Sequence, residues 1–366
     1  MSRLELRTDL RIIENNARVI RERIKNGVKM LAVVKADAYG HGSVQVAKRL
    51  EESLLCDYFA VATAEEGARL RDAGIRSDIL ILGYSDREEM AMAVQNRIHV
   101  TVYSKQSLLL LNSISEELGI KAQAHLKIET GMHRIGIANG EDLWALLKVW
   151  KEIPSVEMTG VFSHFSSADS DRDYTNAQFE SFKCAVNTIS DFGFSPIRHI
   201  AASSAMLNEK YQLDMVRAGI ALYGVGDGEI KPLVHPAQTL MTHPVRLFKI
   251  EKGDKVGYSM KFVAQRDTIV MTVPCGYGDG YPRILSGRAE ALVNGKRVKL
   301  IGNICMDMLM ADVTDAGQID ERTEVVLMGV QGDERITPDE LSYLSQTIPY
   351  EIMLGFSNRV EKTWVY

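Results

Sequence analysis

The chain has 366 residues, 46% of them hydrophobic and 25% charged, with a net charge of −5. That length suits one barrel-sized domain plus a smaller one, and the composition is that of a soluble globular protein. The negative balance, without any basic block, argues against nucleic acid or an anionic membrane surface as a partner. Four cysteines (Cys56, Cys184, Cys275 and Cys305) lack C-x-x-C spacing, so neither a disulfide framework nor a metal centre is expected, and a reducing, cytoplasmic location fits. The N-terminus carries charges where a signal peptide needs an apolar core, and no run approaches the length of a membrane span.

Residues 9 to 25 space Leu10, Ile13, Ala17, Ile20 and Ile24 as one face of a helix. The chain then alternates short apolar runs with amphipathic segments. The runs are Met30–Lys35, Tyr58–Thr63, Ile79–Gly83, Ile98–Val102, Ala124–Glu129, Met158–His164, His199–Ser203 and Met215–Tyr223. Helical stretches between them include Ala64–Ala73, Lys105–Leu118, Glu141–Trp150 and Tyr174–Asp191. Eight strands alternating with helices is the count of a (β/α)8 barrel, with a doubly wound open sheet as the competing architecture. Barrel active sites sit at the C-terminal ends of the strands. Lys35, Arg134, His164 and Ser203 fall at or just past such ends, whereas Arg217 lies early in the eighth run.

Beyond about residue 235 the texture changes to short β-type runs divided by Gly, Asn-Gly and Asp-rich turns. Asn294-Gly295 between two of them is a two-residue hairpin signal. The expected division is a barrel over 1–235 and a mostly β domain over 236–366, joined near Lys231–Pro236.

The most informative stretch is Val33 to Gly42, Val-Val-Lys-Ala-Asp-Ala-Tyr-Gly-His-Gly. A strand-end lysine has an apolar stem and an amine at the rim, where desolvation lowers its pKa and makes it a nucleophile toward carbonyls. These ten residues resemble the pyridoxal-phosphate attachment site of alanine racemases, and further motifs in chain order resemble that family through nearly the whole sequence.

The resemblance implies a pyridoxal 5'-phosphate enzyme with Lys35 and Tyr277 as its two bases. Tyr277 lies in Cys275-Gly-Tyr-Gly-Asp-Gly-Tyr-Pro-Arg. Racemisation needs an acid/base group on each face of a planar carbon, and one lysine cannot reach both. The cofactor would be held by Lys35, Tyr39, His164, Ser203 and Arg217 and by the backbone at Gly219 and Ile220. Arg217, a donor only, matches the arginine that faces the pyridine nitrogen. Arg134 would orient the substrate, and Lys127 matches a carbamylated lysine that holds that arginine. Cys305, Met306 and Asp307 match a substrate-binding loop. Tyr277 and Met306 would serve the partner's Lys35 in a homodimer with shared sites.

At Asn358, in Phe356-Ser-Asn-Arg-Val, alanine-specific members usually carry tyrosine, and the replacement resembles serine racemases associated with glycopeptide resistance. The expected reaction is therefore interconversion of L- and D-alanine, with L- and D-serine in addition, supplying D-amino acid for the cell wall. The alternative is an enzyme mainly for serine. A barrel-type decarboxylase shares the lysine, and a lone-barrel cofactor carrier shares the fold. The Gly-Tyr-Gly-Asp-Gly-Tyr loop opposes the first, and the second domain opposes the other. No metal is expected.

Overall fold

The structure, a computed structural model, describes residues 3–366. Its contacts divide the chain into one unit of Ile13–His235 and a second made from both ends, residues up to Ile12 together with Pro236–Tyr366.

Strand β1 (Leu4–Asp9) opens the chain and belongs to the second unit. The first unit carries β2 (Lys29–Val33), β3 (Tyr58–Val61), β4 (Asp78–Ile81), β5 (Val100–Val102), β6 (Ala122–Glu129), the two-residue β7 (Ile137–Ala138) on its edge, β8 (Val156–Phe162), β9 (Ile197–Ala202) and β10 (Met215–Ala218). Eight of them pair in parallel in the order β4-β3-β2-β10-β9-β8-β6-β5. A parallel bridge from Leu80 to His99 closes the ring. His99 donates its backbone N–H to the Ile79 carbonyl at 2.7 Å, and its own carbonyl accepts from the Ile81 N–H at 2.9 Å. This is the expected (β/α)8 barrel. Its strands are apolar on both faces, as a sheet wrapped by helices requires, and Met30 to Val33 are all buried. Side chains at the helix starts cap free N–H groups: Thr63, Asp86, Ser104 and Asp171 each accept from the residue three positions on.

The barrel interior is not wholly apolar. His99, His125 and His199 are buried in it, with ring centroids 5.4 and 5.1 Å apart in that order. Gly160 makes room for the middle ring, since a Cβ there would lie 2.3 Å from His125 Nδ1.

Two details differ from the sequence reading. The eighth run was expected as a strand to Tyr223. It stops at Ala218 and continues as a 3-10 turn, Ile220–Tyr223, with the Tyr223 hydroxyl donating to the Val33 carbonyl at 2.8 Å. Arg217 thereby stands near the C-terminal end of its strand, like the other barrel candidates, and not early in it. After Lys35 the chain makes more than a glycine turn. Ala36, Asp37, Ala38 and Tyr39 all hold φ between 51 and 55°. Four consecutive left-handed residues with side chains are disfavoured by roughly 1–2 kcal/mol each, so their surroundings must hold them.

The second unit is mostly β, as expected, but begins at both ends of the chain. Residues 3–12, which the division at 235 grouped with the barrel, place β1 between β11 (Gln238–Thr242), antiparallel, and the last strand, Glu361–Val365, parallel. Asn294 and Gly295 form the expected hairpin between Glu290–Val293 and Lys296–Ile301, with φ of 51 and 72°. Both values are positive, as a type I′ turn demands. Leu4 and Leu6 of β1 join Met271, Val273, Leu292 and Val326 in one buried cluster.

Candidate active site

At the barrel mouth, Lys35 leaves β2 half-buried. Burial, and then the positive charge of Arg134, hold its amine below the ordinary lysine value; Glu66 acts in the opposite sense, and Arg217 adds to the depression. Glu66 also explains how the left-handed turn persists. Its carboxylate accepts the Ala36 N–H at 2.7 Å and the Ala62 N–H at 2.8 Å, tying the residue after Lys35 to the end of β3. Asp37 Oδ1 accepts the Ser43 N–H at 2.9 Å and pins the turn from the far side.

Arg217 is buried at the centre of this face. Its Nη2 donates to the carbonyls of Ser163 and Ile200, at 2.9 and 2.8 Å, and to His164 Nδ1 at 3.0 Å; its Nη1 donates to His199 Nδ1 at 2.9 Å. A guanidinium has no acceptor, so both Nδ1 atoms must be unprotonated. Burial first and the Arg217 charge second push both histidines well below their usual pKa, which agrees with neutral rings. His199 then donates from Nε2 to His125 Nδ1, 2.9 Å away. Burial and Arg134 lower the pKa of Arg217 itself, yet it stays charged at neutral pH.

Lys127 is 5% exposed, with its Nζ 5.2 Å from the centre of the Phe162 ring. Burial, then Arg134 and Arg217, pull its pKa to about 7. Arg134 is exposed in the loop after β6, between the positive-φ residues His133 and Gly136.

The residues expected around a cofactor phosphate also converge. The backbone N–H groups of Gly219 and Ala221 both point at Ser203 Oγ, at 3.1 and 3.4 Å. A Cβ on Gly219 would sit 3.3 Å from the Tyr39 hydroxyl and 3.6 Å from Ser203 Oγ. The absent side chain lets two hydroxyls and backbone N–H groups approach one another closely, a donor set that suits an anionic oxygen cluster. Ile220 begins the turn beside it. A buried cationic donor, a depressed amine and this cradle together fit pyridoxal phosphate.

The second unit gathers the other candidates. Tyr277 opens a 3-10 turn, Tyr277–Asp279, and its side chain is exposed, as is that of Met306. The Tyr277 N–H donates to the Cys305 carbonyl at 3.0 Å and the Gly278 N–H to the Met306 carbonyl at 2.8 Å. Asp307 Oδ1 accepts from Arg359 Nη2 at 2.7 Å. Asn358 is exposed in the following segment, where the Ser357 N–H donates to the Asp279 carbonyl at 3.0 Å.

Thus Lys35, Tyr39, Lys127, His164, Ser203, Arg217, Gly219 and Ile220, with Arg134, occupy one unit, and Tyr277, Cys305, Met306, Asp307 and Asn358 the other. The sequence reading missed Glu66, His199 and Asp279. Thr63-Ala-Glu-Glu66 carries an ordinary capping signature, a histidine in a strand has no special mark, and Asp279 reads as a turn residue.

Comparison with known proteins places the chain in one family. The family model described as alanine racemase, N-terminal domain matches residues 8–227, and that of the C-terminal domain matches residues 237–364. Alanine racemase 2 of Caldanaerobacter subterraneus subsp. tengcongensis is 37% identical, over 100% of this chain and 95% of its own length. The alanine racemase of Halothermothrix orenii is 35% identical over 97% and 95%. Among solved structures, the alanine racemase of Clostridium difficile 630 superposes with a TM-score of 0.93 at 32% identity, over 100% of this chain and 96% of the other. That of Bacillus anthracis with bound L-Ala-P gives 0.91 at 34%, with the same coverage.

Proposed function

The chain belongs to the alanine racemase family, which depends on pyridoxal phosphate, and on that premise we propose that it interconverts L- and D-alanine by a two-base proton transfer. The observation that carries this reading is the Lys35 amine, depressed by burial and Arg134 at the end of a barrel strand. Lys35, Tyr39, His164, Ser203, Arg217 and the Gly219–Ile220 backbone would hold the cofactor, which when bound withdraws electrons and so acidifies the hydrogen on an amino acid's α-carbon. Arg217, only a donor, would leave the nitrogen it faces without a proton and so moderate that withdrawal. Lys35 Nζ moves the α-proton on one face and Tyr277 Oη on the other. A proton taken by one and returned by the other inverts the centre; a single base would give exchange without inversion. Arg134, Cys305, Met306 and Asp307 would bind and orient the substrate. Tyr277 of one copy would work with Lys35 of a second copy in a homodimer, as the resemblance implies.

The Lys127 amine, near pKa 7, is about half neutral at neutral pH, and the neutral form is the one that adds carbon dioxide. The new N–C bond, with loss of one proton, would leave a carbamate anion to hold Arg134 where an ammonium would repel it. Among the described residues no helix is long and apolar enough to cross a membrane. A cytoplasmic enzyme making D-alanine for the cell wall is the role we assign.

Serine is the finer question. A tyrosine in place of Asn358 would present a rigid ring, whereas asparagine is smaller and offers a donor and an acceptor to a hydroxymethyl group. We read the enzyme as an alanine racemase that also turns over serine; the names of its relatives favour alanine as the main substrate. Turnover of L-alanine and L-serine on one purified, cofactor-loaded sample tests both levels. Loss of optical rotation with the carboxylate retained is expected from alanine. Asn358→Tyr should lower the serine-to-alanine ratio of kcat/KM by roughly tenfold, the worth of about one hydrogen bond. An unchanged ratio would move the preference to other residues.

A further inference from the structure

The loop that carries Tyr277 rests on a carboxylate to which nothing above gives a role. Asp279 is 0% exposed. It accepts the Gly276 N–H at 2.9 Å and two guanidinium nitrogens of Arg3 at 3.2 and 3.1 Å, and it forms an ion pair with Arg359, whose Nε lies 3.2 Å away. Arg359 reaches on to Asp307, and Arg3 Nη2 to the Asp307 carbonyl at 3.4 Å. One buried carboxylate thus joins four segments: the chain start, the Tyr277 loop, the Cys305–Asp307 loop and the stretch after Asn358.

The packing leaves these segments no slack. A Cβ on Gly276 would lie 2.3 Å from the Cys305 carbonyl oxygen, one on Gly278 2.6 Å from Arg359 Nη1, and one on Gly280 2.1 Å from the Gly355 carbonyl oxygen. By contrast, Tyr277 and Met306 are 41% and 53% exposed within their own chain. Within that chain, their direction is set by the backbone beneath. Apolar packing tolerates small slips, whereas a forked guanidinium–carboxylate pair fixes direction as well as distance.

We propose that Asp279, clamped by Arg3 and Arg359, is a positioning residue that sets the Tyr277 hydroxyl and the Met306 backbone in register for proton transfer on the tyrosine's face. This rests on the racemase reading above. A purely structural carboxylate would affect stability and both directions of the reaction alike; a positioning one acts through Tyr277.

The test uses the cofactor-loaded enzyme and follows solvent-deuterium incorporation from L- and D-alanine separately, with cofactor affinity titrated by absorbance. The variants are Tyr277→Phe, Asp279→Asn, Arg359→Gln and Arg359→Lys. Arg359→Gln and Asp279→Asn should slow incorporation from the same enantiomer as Tyr277→Phe, by roughly tenfold or more, and leave the other within about twofold. Cofactor affinity should hold, and Arg359→Lys, which keeps the charge without the fork, should recover part of the loss. Combining Arg359→Gln with Tyr277→Phe should cost no more than Tyr277→Phe alone. Because Arg359 is partly exposed, its variants carry the test even where Asp279→Asn fails to fold. Equal slowing from both enantiomers, no slowing, or additive losses in the double variant would overturn the proposal. If Tyr277→Phe itself shows no asymmetry, the two-base reading falls and takes the positioning role with it.

Discussion

Lys35 and Lys127 are both lysines near a barrel mouth, and their surroundings treat them differently. Each is depressed by burial and by Arg134, but Lys127 is the more enclosed and its value falls to about 7. A carboxylate opposes the shift at each, Glu66 at Lys35 and Glu129 at Lys127, so the difference lies in burial. An amine at the rim with a lowered pKa can attack a carbonyl and later carry a proton; one that is more deeply buried is better suited to lose its charge. Lys35→Ala is therefore expected to abolish racemisation and, with it, permanent attachment of the cofactor after borohydride reduction. Peptide mapping checks this: a reduced cofactor found on another lysine of the variant would remove Lys35 from its role.

The turn of residues 36–39 shows how an element depends on a distant side chain. Its four left-handed residues are unfavourable in isolation, and Glu66 offsets part of that cost by receiving two backbone N–H groups with one carboxylate. Glu66→Gln keeps the shape but offers one carbonyl oxygen to two donors. The unpaired donor should cost on the order of 1–3 kcal/mol in unfolding free energy, read by urea denaturation. Losing the negative charge should also lower the pKa of the Lys35 amine further, so the acid limb of the kcat profile, which reports the substrate-bound enzyme, should move to lower pH. Stability and profile both unchanged would reduce Glu66 to a helix-cap residue. The shortened eighth strand follows the same logic, because the Tyr223 hydroxyl draws the chain back to Val33 and lets Arg217 stand near the strand end.

At the scale of the molecule, the candidate site residues divide between two units. Lys35 and its cations lie in the barrel, and Tyr277 and Met306 lie in the β unit that the first and last strands complete together. In the proposed homodimer each site draws on two copies, which makes complementation the decisive measurement. Lys35→Ala and Tyr277→Phe chains, each inactive alone, should form hybrids with one intact site of two. Random pairing should then restore about a quarter of wild-type activity. No recovery, with hybrids shown to form, would place both bases in the same chain.

The local pattern of the sequence determined much of this. The alternation of apolar runs with capped amphipathic segments, the Asn294-Gly295 hairpin and the lysine of Val33–Gly42 are all short-range, because strand burial, helix periodicity and turn geometry depend on residues a few positions apart. What the tertiary structure alone decided depends on long separations. Arg3 meets Asp279 across 276 residues, and β1 leaves the barrel for a sheet whose other strands begin beyond residue 236. Glu66 carries the same capping signature whether its carboxylate turns to its own helix or to Ala36. His199 is one more strand residue until Arg217 approaches it from the next strand. Such partners leave no periodic trace in the chain; only folding brings the charge, the donor and the cavity to one place.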